Sequence, residues 1–311
     1  MIRFENVSKK LGDFSLQNIS FELPKGYIMG LIGENGAGKT SLLNLILGLY
    51  RPDAGKVKLL GYEYENDERK IRNNISYVIL DTDLFWGDRK LIDFADQFGK
   101  YYVHYSTETM RKYCSDFSLD QRKKWKELSK GEQLKFQFAF ALSHQARLLV
   151  LDEPTANFDP EFRAQFLHIL TEFIRDGEHS VILATHQLQE LEQIADYITF
   201  LSHGRMIFTG EKEILTERFR IVKGEAYLIN LLNKERVIYK EEQAYGASAW
   251  IYHRKIDTYD SRLTVSSPTL EEIMYYFIKS GKTWDSITAN IVGRMDHQTK
   301  CYSYLCKAFY S

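Results

Sequence analysis

The chain has 311 residues, which is room for one large domain or two smaller ones and for a sizeable buried core. Its 44% hydrophobic and 27% charged residues exclude a disordered or collagen-like polymer. With 41 Lys+Arg against 42 Asp+Glu, the net charge of −1 gives no global attraction to nucleic acid or to an anionic membrane, and no run free of Asp, Glu, Lys and Arg exceeds 11 residues, short of the ~20 that cross a bilayer as a helix.

The opening MIRFENVSKK carries Glu5 and lacks the apolar centre of a secretion signal, so a cytosolic protein is expected. Cys114, Cys301 and Cys306 are too few for a disulfide framework or a closed metal site and are expected as reduced thiols. In chain order, residues 2–7 and 16–23 read as strands, and Pro24, Lys25 and Gly26 turn the chain into a third at 27–32. A glycine-rich turn follows. From Thr40 the apolar residues Leu42, Leu43, Leu45, Ile46, Leu47 and Leu49 recur at helical spacing, until residues 51–55 end the helix in a loop.

Residues 84–146 read as mainly helical, with Phe94, Phe98 and Tyr101 spaced like one face. A second helix starts near Gly131, its apolar face carrying Leu134, Phe136, Phe138 and Leu142. Strand signals return at 148–151 and 181–184, each followed by a helical stretch, which predicts a parallel sheet and an α/β class. After residue 217 the charge balance turns slightly basic. Short apolar runs at 226–232, 236–239, 249–253 and 263–265 predict a small accessory domain of strands, closed by a helix at 268–278. The expected organisation is a domain at 1–217, an α+β accessory domain at 218–282, and a tail at 283–311 with no readable period.

Gly33, Glu34, Asn35, Gly36, Ala37, Gly38, Lys39 and Thr40 fit G-x-x-x-x-G-K-[ST] between a strand and a helix. Glycines let the backbone fold around a phosphate chain, so that successive N–H groups and the positive end of the helix dipole face the β- and γ-phosphate oxygens. Lys39 adds a point charge, Ser41 lies in the same helix turn, and Thr40 offers a hydroxyl to Mg²⁺. Downstream, the apolar strand 148–151 ends in Asp152 and Glu153 at the carboxyl edge of the sheet. Neighbours on a strand point to opposite faces, so Asp152 is expected to support Mg²⁺ while Glu153 faces an attacking water as general base or orienter. LSKGEQ, residues 128–133, reads as a capped helix start at Ser129 and Gly131.

The order GENGAGKT, LSKGEQ, LLVLDEPTANFD, then His186 after VILAT, resembles the ABC-type ATPase cassette over about residues 1–215. The resemblance implies a P-loop NTPase fold with a helical subdomain and ATP with Mg²⁺ as cofactors. It also implies two copies facing head to tail, so that Ser129, Gly131 and Gln133 of one copy meet the γ-phosphate held by Lys39 of the other. Lys130 and Glu132 stand where the commonest signature has Gly and Gln. By the same resemblance, Asp159 is the loop aspartate that ties the two sites together and His186 the switch histidine on the γ-phosphate.

Two positions depart from the pattern. Leu11 precedes Gly12 where many cassettes carry an adenine-stacking Tyr; Phe14 is the nearest substitute, or else it packs in the sheet. In ISYVILDTDLF, Leu80 takes the place of the usual Gln or Glu, and Asp81 either substitutes for it at Mg²⁺ or is a turn residue. The aromatic segment 84–102 lies where family members receive a helix of a transmembrane partner; Phe85 and Trp86 either form an apolar receptor for it or pack as helical core, whereas Phe94 and Phe98 read as core.

By analogy the chain is expected to be the ATP-hydrolysing subunit of a membrane exporter of the Gram-positive antibiotic or amphipathic-peptide type. It would sit at the cytoplasmic face of the cell membrane through a separate permease subunit, with the accessory domain joining two copies. An ATP-dependent sensor of a membrane partner is the alternative. A soluble cassette acting on DNA or the ribosome fits poorly, because only 90 residues separate Lys39 from Ser129, too few for a long coiled coil, and the chain has one cassette. No nucleic-acid partner is expected.

Overall fold

A computed structural model describes residues 1–79, 89–243, 245–253 and 259–292. The chain forms two compact units, Met1–Gly210 and Glu211–Ser311. The first runs through β1 (Ile2–Leu11), β2 (Phe14–Leu23), β3 (Ile28–Ile32), α1 (Lys39–Ile46), β4 (Ala54–Leu59), α2 (Tyr64–Asn74), β5 (Ile75–Ile79), α3 (Leu91–Gly99), α4 (Thr107–Asp116), α5 (Lys130–Ser143), β6 (Leu148–Asp152), α6 (Pro160–Phe173), β7 (Ser180–Ala184), α7 (Leu188–Ile194), β8 (Tyr197–Ser202) and β9 (Arg205–Glu211).

The central sheet has the order β5-β6-β7-β3-β8-β9 and is parallel from β5 to β8, in keeping with the α/β reading. Every residue of β3, β6 and β7 is buried, which is why these strands read as unbroken apolar runs rather than alternating ones. The parallel sheet is not the whole of the unit. A second, antiparallel sheet of order β2-β1-β4 includes residues 54–55, which the turn residues around them place in a loop on sequence grounds. In β4 Val57 and Leu59 face inward and alternate with Lys56 and Lys58, a strand too short for its alternation to stand out. One core joins α1 (Leu42, Leu43, Leu45, Ile46), the antiparallel sheet (Phe4, Phe21) and one face of the parallel sheet (Met29, Val150).

Two helical expectations need correction. The apolar residues 134, 136, 138 and 142 do not mark one face of α5, because Gln137, Ala139, Ala141 and Ser143 are buried too and the helix is enclosed nearly all round. In α3 the inward row is Leu91, Ala95 and Gly99, four residues apart; Phe98 stands beside that row, exposed, and stacks on the half-buried Phe94 at 4.3 Å. Phe98 is therefore not a core residue, and Tyr101 is exposed as well.

The second unit contains α8 (Lys212–Arg218), β10 (Phe219–Gly224), α9 (Ala226–Asn230), β11 (Val237–Gln243), β12 (Gly246–Tyr252), β13 (Thr264–Ser266), α10 (Leu270–Ser280) and α11 (Trp284–Val292). Its antiparallel sheet has the order β11-β12-β10-β13. One face packs Val222, Ala249 and Ile251 with Ile229 of α9. On the other, the fully buried Trp250 lies 4.7 Å from Phe219, 5.7 Å from Tyr276 and 4.9 Å from Phe277. Residues 226–230, expected as a strand, are helical: Leu228 and Ile229 are buried while Tyr227 and Asn230 are exposed, a pattern that strand alternation cannot produce. Residues 284–292, in a stretch with no readable period in the sequence, form a helix. Cys114 is a buried free thiol whose pKa burial raises to about 11; Cys301 and Cys306 lie outside the described residues. Among the described residues no helix is long and apolar enough to cross a membrane.

His144, fully buried at the end of α5, donates from Nδ1 to the Phe140 carbonyl at 2.9 Å and stacks on Tyr102 at 4.0 Å. Burial lowers its pKa from 6.5 to about 4. As pH falls, the unfolded chain takes up this proton first, so the stability tied to the neutral ring is lost between those two values. Replacing His144 by Phe is expected to flatten that part of a urea-stability curve measured against pH; an unchanged acid slope would contradict this.

Candidate nucleotide site at the sheet edge

Where β3 meets α1, the chain doubles back over the strand end. Gly33 has φ +153°, and a Cβ there would collide with the carbonyl oxygen of Leu201 in β8, so the turn accepts only glycine. Ala37 N–H closes the loop on Glu34 O at 3.0 Å, and Gly204 N–H pins it through Ala37 O at 3.0 Å. Gly38, left-handed at φ +109°, opens α1 without a side-chain cap, so the first-turn N–H groups are available to an anion. Lys39 is buried and its ammonium donates to Gly33 O at 2.8 Å and Glu34 O at 3.3 Å, held above the loop. Asn35 and Gly36 are exposed, Ala37 is buried, and Ser41 is half-buried.

Thr40 Oγ1 donates to Asp152 Oδ2 at 3.0 Å, although 112 positions separate the two residues. Burial pushes the Asp152 carboxyl above its ordinary range, and the Glu153 charge adds to this; the Thr40 hydrogen bond and the Lys39 charge act the other way. A hydroxyl and a carboxylate beside a phosphate-binding loop are the hard oxygen donors that Mg²⁺ takes, with phosphate oxygens completing its shell. Among the described residues no three His, Cys, Asp or Glu side chains cluster into a metal site of the protein's own.

Glu153 is not a strand residue. β6 ends at Asp152, and Glu153 has φ +50°, a left-handed conformation that costs about 1–2 kcal/mol in a residue with a Cβ. This backbone turn, rather than strand alternation, separates the two carboxylates. Its N–H bonds Ala184 O at 2.9 Å, and its Oε2 receives His186 Nδ1 at 2.7 Å and the His186 N–H at 3.3 Å. The Glu153–His186 pair is partly open to solvent at the carboxyl ends of β6 and β7. Behind it lies a second rung that sequence reading missed. Thr155 Oγ1 donates to Glu190 Oε2 at 2.9 Å with both residues buried, and Arg163 of α6 pairs with Glu190 Oε1 at 3.5 Å. Burial raises the Glu190 pKa against both partners. In QLQELEQ Glu190 is one of two acids with nothing to single it out; its burial is a property of the fold.

Ser129 is the N-cap of α5: its Oγ accepts from Glu132 N–H at 3.2 Å, while Glu132 Oε2 accepts from Ser129 N–H at 2.8 Å. Lys123, unforeseen from sequence, pairs with Glu132 at 2.9 Å and is the main cause of its lowered pKa. A Cβ on Gly131 would stand 2.7 Å from Asn157 O, so glycine lets the segment after Glu153 lie against the signature helix. Gln133 Nε2 reaches Leu128 O at 3.4 Å. Asp159 caps α6 through Phe162 N–H at 2.8 Å, the first cause of its lowered pKa, and approaches Lys135 at 3.4 Å. Phe14 is half-buried against the core, its Cζ 2.8 Å from where a Gly38 Cβ would stand. Leu80, Asp81, Phe85 and Trp86 lie outside the described residues.

Strand, phosphate-type loop and helix, with two acids and a histidine at the same sheet edge, define a P-loop nucleotide hydrolase. Residues 16–156 match the family model described as ABC transporter. The chain is 30% identical over 251 residues to ABC transporter ATP-binding protein YtrB of Bacillus subtilis (strain 168), covering 78% of this chain and 84% of that one. It is 29% identical to the bacitracin transport ATP-binding protein BcrA of Enterococcus faecalis, over 67% of this chain and 68% of that one. A solved dimeric ATP-binding cassette in a post-hydrolysis state, bound to ADP and phosphate, shares the fold with a TM-score of 0.61 at 19% identity, over 68% of this chain and 98% of that one. The chain belongs to the ATP-binding proteins of ABC transporters: it binds and hydrolyses ATP as a transporter subunit.

Thr155→Val would strand a buried Glu190 oxygen and is expected to cost about 1–3 kcal/mol in urea unfolding. In a Glu190→Leu background the same change should cost much less; equal costs in both backgrounds would dissolve the Thr155–Glu190 rung.

Proposed function

We propose that the chain is the ATP-hydrolysing subunit of a membrane exporter, working as two copies that close head to tail on two ATP molecules. The observation that carries the reading is the meeting of Lys39, the Thr40–Asp152 bond and the Glu153–His186 pair at one sheet edge. In this reading the loop N–H groups and Lys39 bind the β- and γ-phosphates, with Asn35, Gly36, Ala37, Gly38 and Ser41 around them. Thr40 and Asp152 hold Mg²⁺, which when bound offsets phosphate charge; Asp81 is a further candidate ligand by its place in the sequence. A water attacks the γ-phosphorus, its proton passes to Glu153, and ADP leaves. His186, hydrogen-bonded to Glu153, contacts the γ-phosphate and keeps the carboxylate aimed. Phe14, packed beside Gly38, is the aromatic candidate for the adenine.

The capped, exposed start of α5 at Ser129, with Gly131 and Gln133, is the surface that meets the γ-phosphate of the second copy, because a helix N-terminus favours an anion. Asp159, the N-cap of α6, joins the two sites in the same way. The dimeric state of the post-hydrolysis cassette supports this pairing. The bacitracin transport protein among the relatives supports efflux of antibiotics or amphipathic peptides. The permease is a separate integral membrane subunit, and the chain works at its cytoplasmic face. The second unit helps hold the two copies together.

Glu153→Gln keeps shape and removes the base. Turnover is expected to fall by ~10²-fold or more while ATP-bound dimers accumulate on size-exclusion chromatography. Unchanged turnover would refute the assignment.

A further inference from the structure

Gln137 sits in the middle of α5, on the helix that Ser129 opens, and is buried. Its amide makes two hydrogen bonds to one backbone residue: Nε2 donates to Ile79 O at 3.1 Å and Oε1 accepts from Ile79 N–H at 3.1 Å. β5 ends the central sheet, so among the described residues the outward N–H and C=O of Ile79 have no strand neighbour. The Gln137 side chain supplies that neighbour as a single peptide-like group. Ile79 is the last residue of β5 and lies opposite Asp152 in the β5–β6 register. Asp152 in turn holds Thr40. Two side-chain hydrogen-bond contacts, Thr40 on Asp152 and Gln137 on Ile79, therefore meet at one strand pair and connect the phosphate loop, through the β5–β6 register, to the helix that presents Ser129.

We infer that Gln137 is a positioning residue, whose two-point clamp on Ile79 sets where the helix carrying Ser129 stands against the sheet edge carrying Asp152. An apolar side chain of the same length would fill the space without the clamp. A buried amide that makes both bonds to a single edge residue does more than fill space, because losing either bond leaves a half-buried backbone group of Ile79 without its partner. The inference rests on the ATPase reading; Glu153→Gln stops turnover whatever Gln137 does, so the two can fail separately.

The test is steady-state ATPase activity of the full chain as Gln137→Met and Gln137→Glu, each divided by wild type at the same pH. Met has the length without hydrogen bonds, and its kcat is expected to fall by about tenfold with KM for ATP unchanged. Glu is informative because its protonated carboxyl is again one donor and one acceptor, whereas the ionised form turns a lone pair on Ile79 O. Gln137→Glu should therefore approach wild type at the acid end of the assay range and fall towards Gln137→Met as pH rises. A variant that stays near wild type throughout, its buried carboxyl protonated at every pH, supports the clamp equally. Gln137→Glu as impaired as Gln137→Met at every pH would make Gln137 a packing residue and overturn the inference, as would a Gln137→Met kcat within about twofold of wild type. If Gln137→Met does not fold, the comparison of Gln137→Glu across pH, on one folded protein, carries the test alone: a ratio that stays below about one tenth and flat with pH overturns it.

Discussion

The hydrogen bond from Thr40 to Asp152 is the constraint around which the cassette is organised. It joins the first turn of α1 to the end of β6, across the intervening β7, so the phosphate loop and the acidic strand end can have only one relative position. Parallel strands make this possible, because their carboxyl ends lie on one edge and the loops that leave them converge there. Gly33 belongs to the same constraint: with Leu201 O against its Cα, the loop has to fold back over β3 and cannot splay outward. The Asp152 carboxyl, raised by burial and facing a hydroxyl, is a group whose ionised form gains from a cation beside it.

From that fixed edge the chain builds reactivity with a small amount of strain. Glu153 accepts a left-handed backbone to leave the strand plane and reach His186, and Ala184 O holds its N–H so that the strain is not released. The buried Thr155–Glu190 bond repeats the connection one layer deeper, between the same two segments. The partly exposed Glu153–His186 pair by itself would be free to drift; two parallel links, one dry and one wet, define its distance. The signature helix is tied in from two sides, by Gly131 under Asn157 O and by Gln137 on Ile79.

Much of this was legible in the sequence, because short motifs carry their own geometry. The eight residues from Gly33 to Thr40, the apolar run into Asp152, and S-x-x-E at 129–132 each specify a local backbone, and the candidate residues Lys39, Thr40, Asp152, Glu153 and His186 lie at one sheet edge. Missing were features that depend on what packs against a residue. Glu190 and Gln137 are polar letters whose burial comes from elements distant in sequence, and Phe98 is an apolar letter one step off the inward row of its helix. The turn residues around β4 outweighed two inward side chains, and the apolar residues of α9 suit a strand or a helix equally until its neighbours are known. The left-handed Glu153 follows the end of β6, and no residue preference announces it.

The reading that two copies complete each other's sites is tested most directly by a crystal structure of the full chain grown with Mg²⁺ and a non-hydrolysable ATP analogue. The expected result is a triphosphate between two molecules, with Lys39 on one side of the γ-phosphate and Ser129 of the other copy within hydrogen-bond distance of it. A triphosphate enclosed by a single copy, with every Ser129 far from any γ-phosphate, would contradict it.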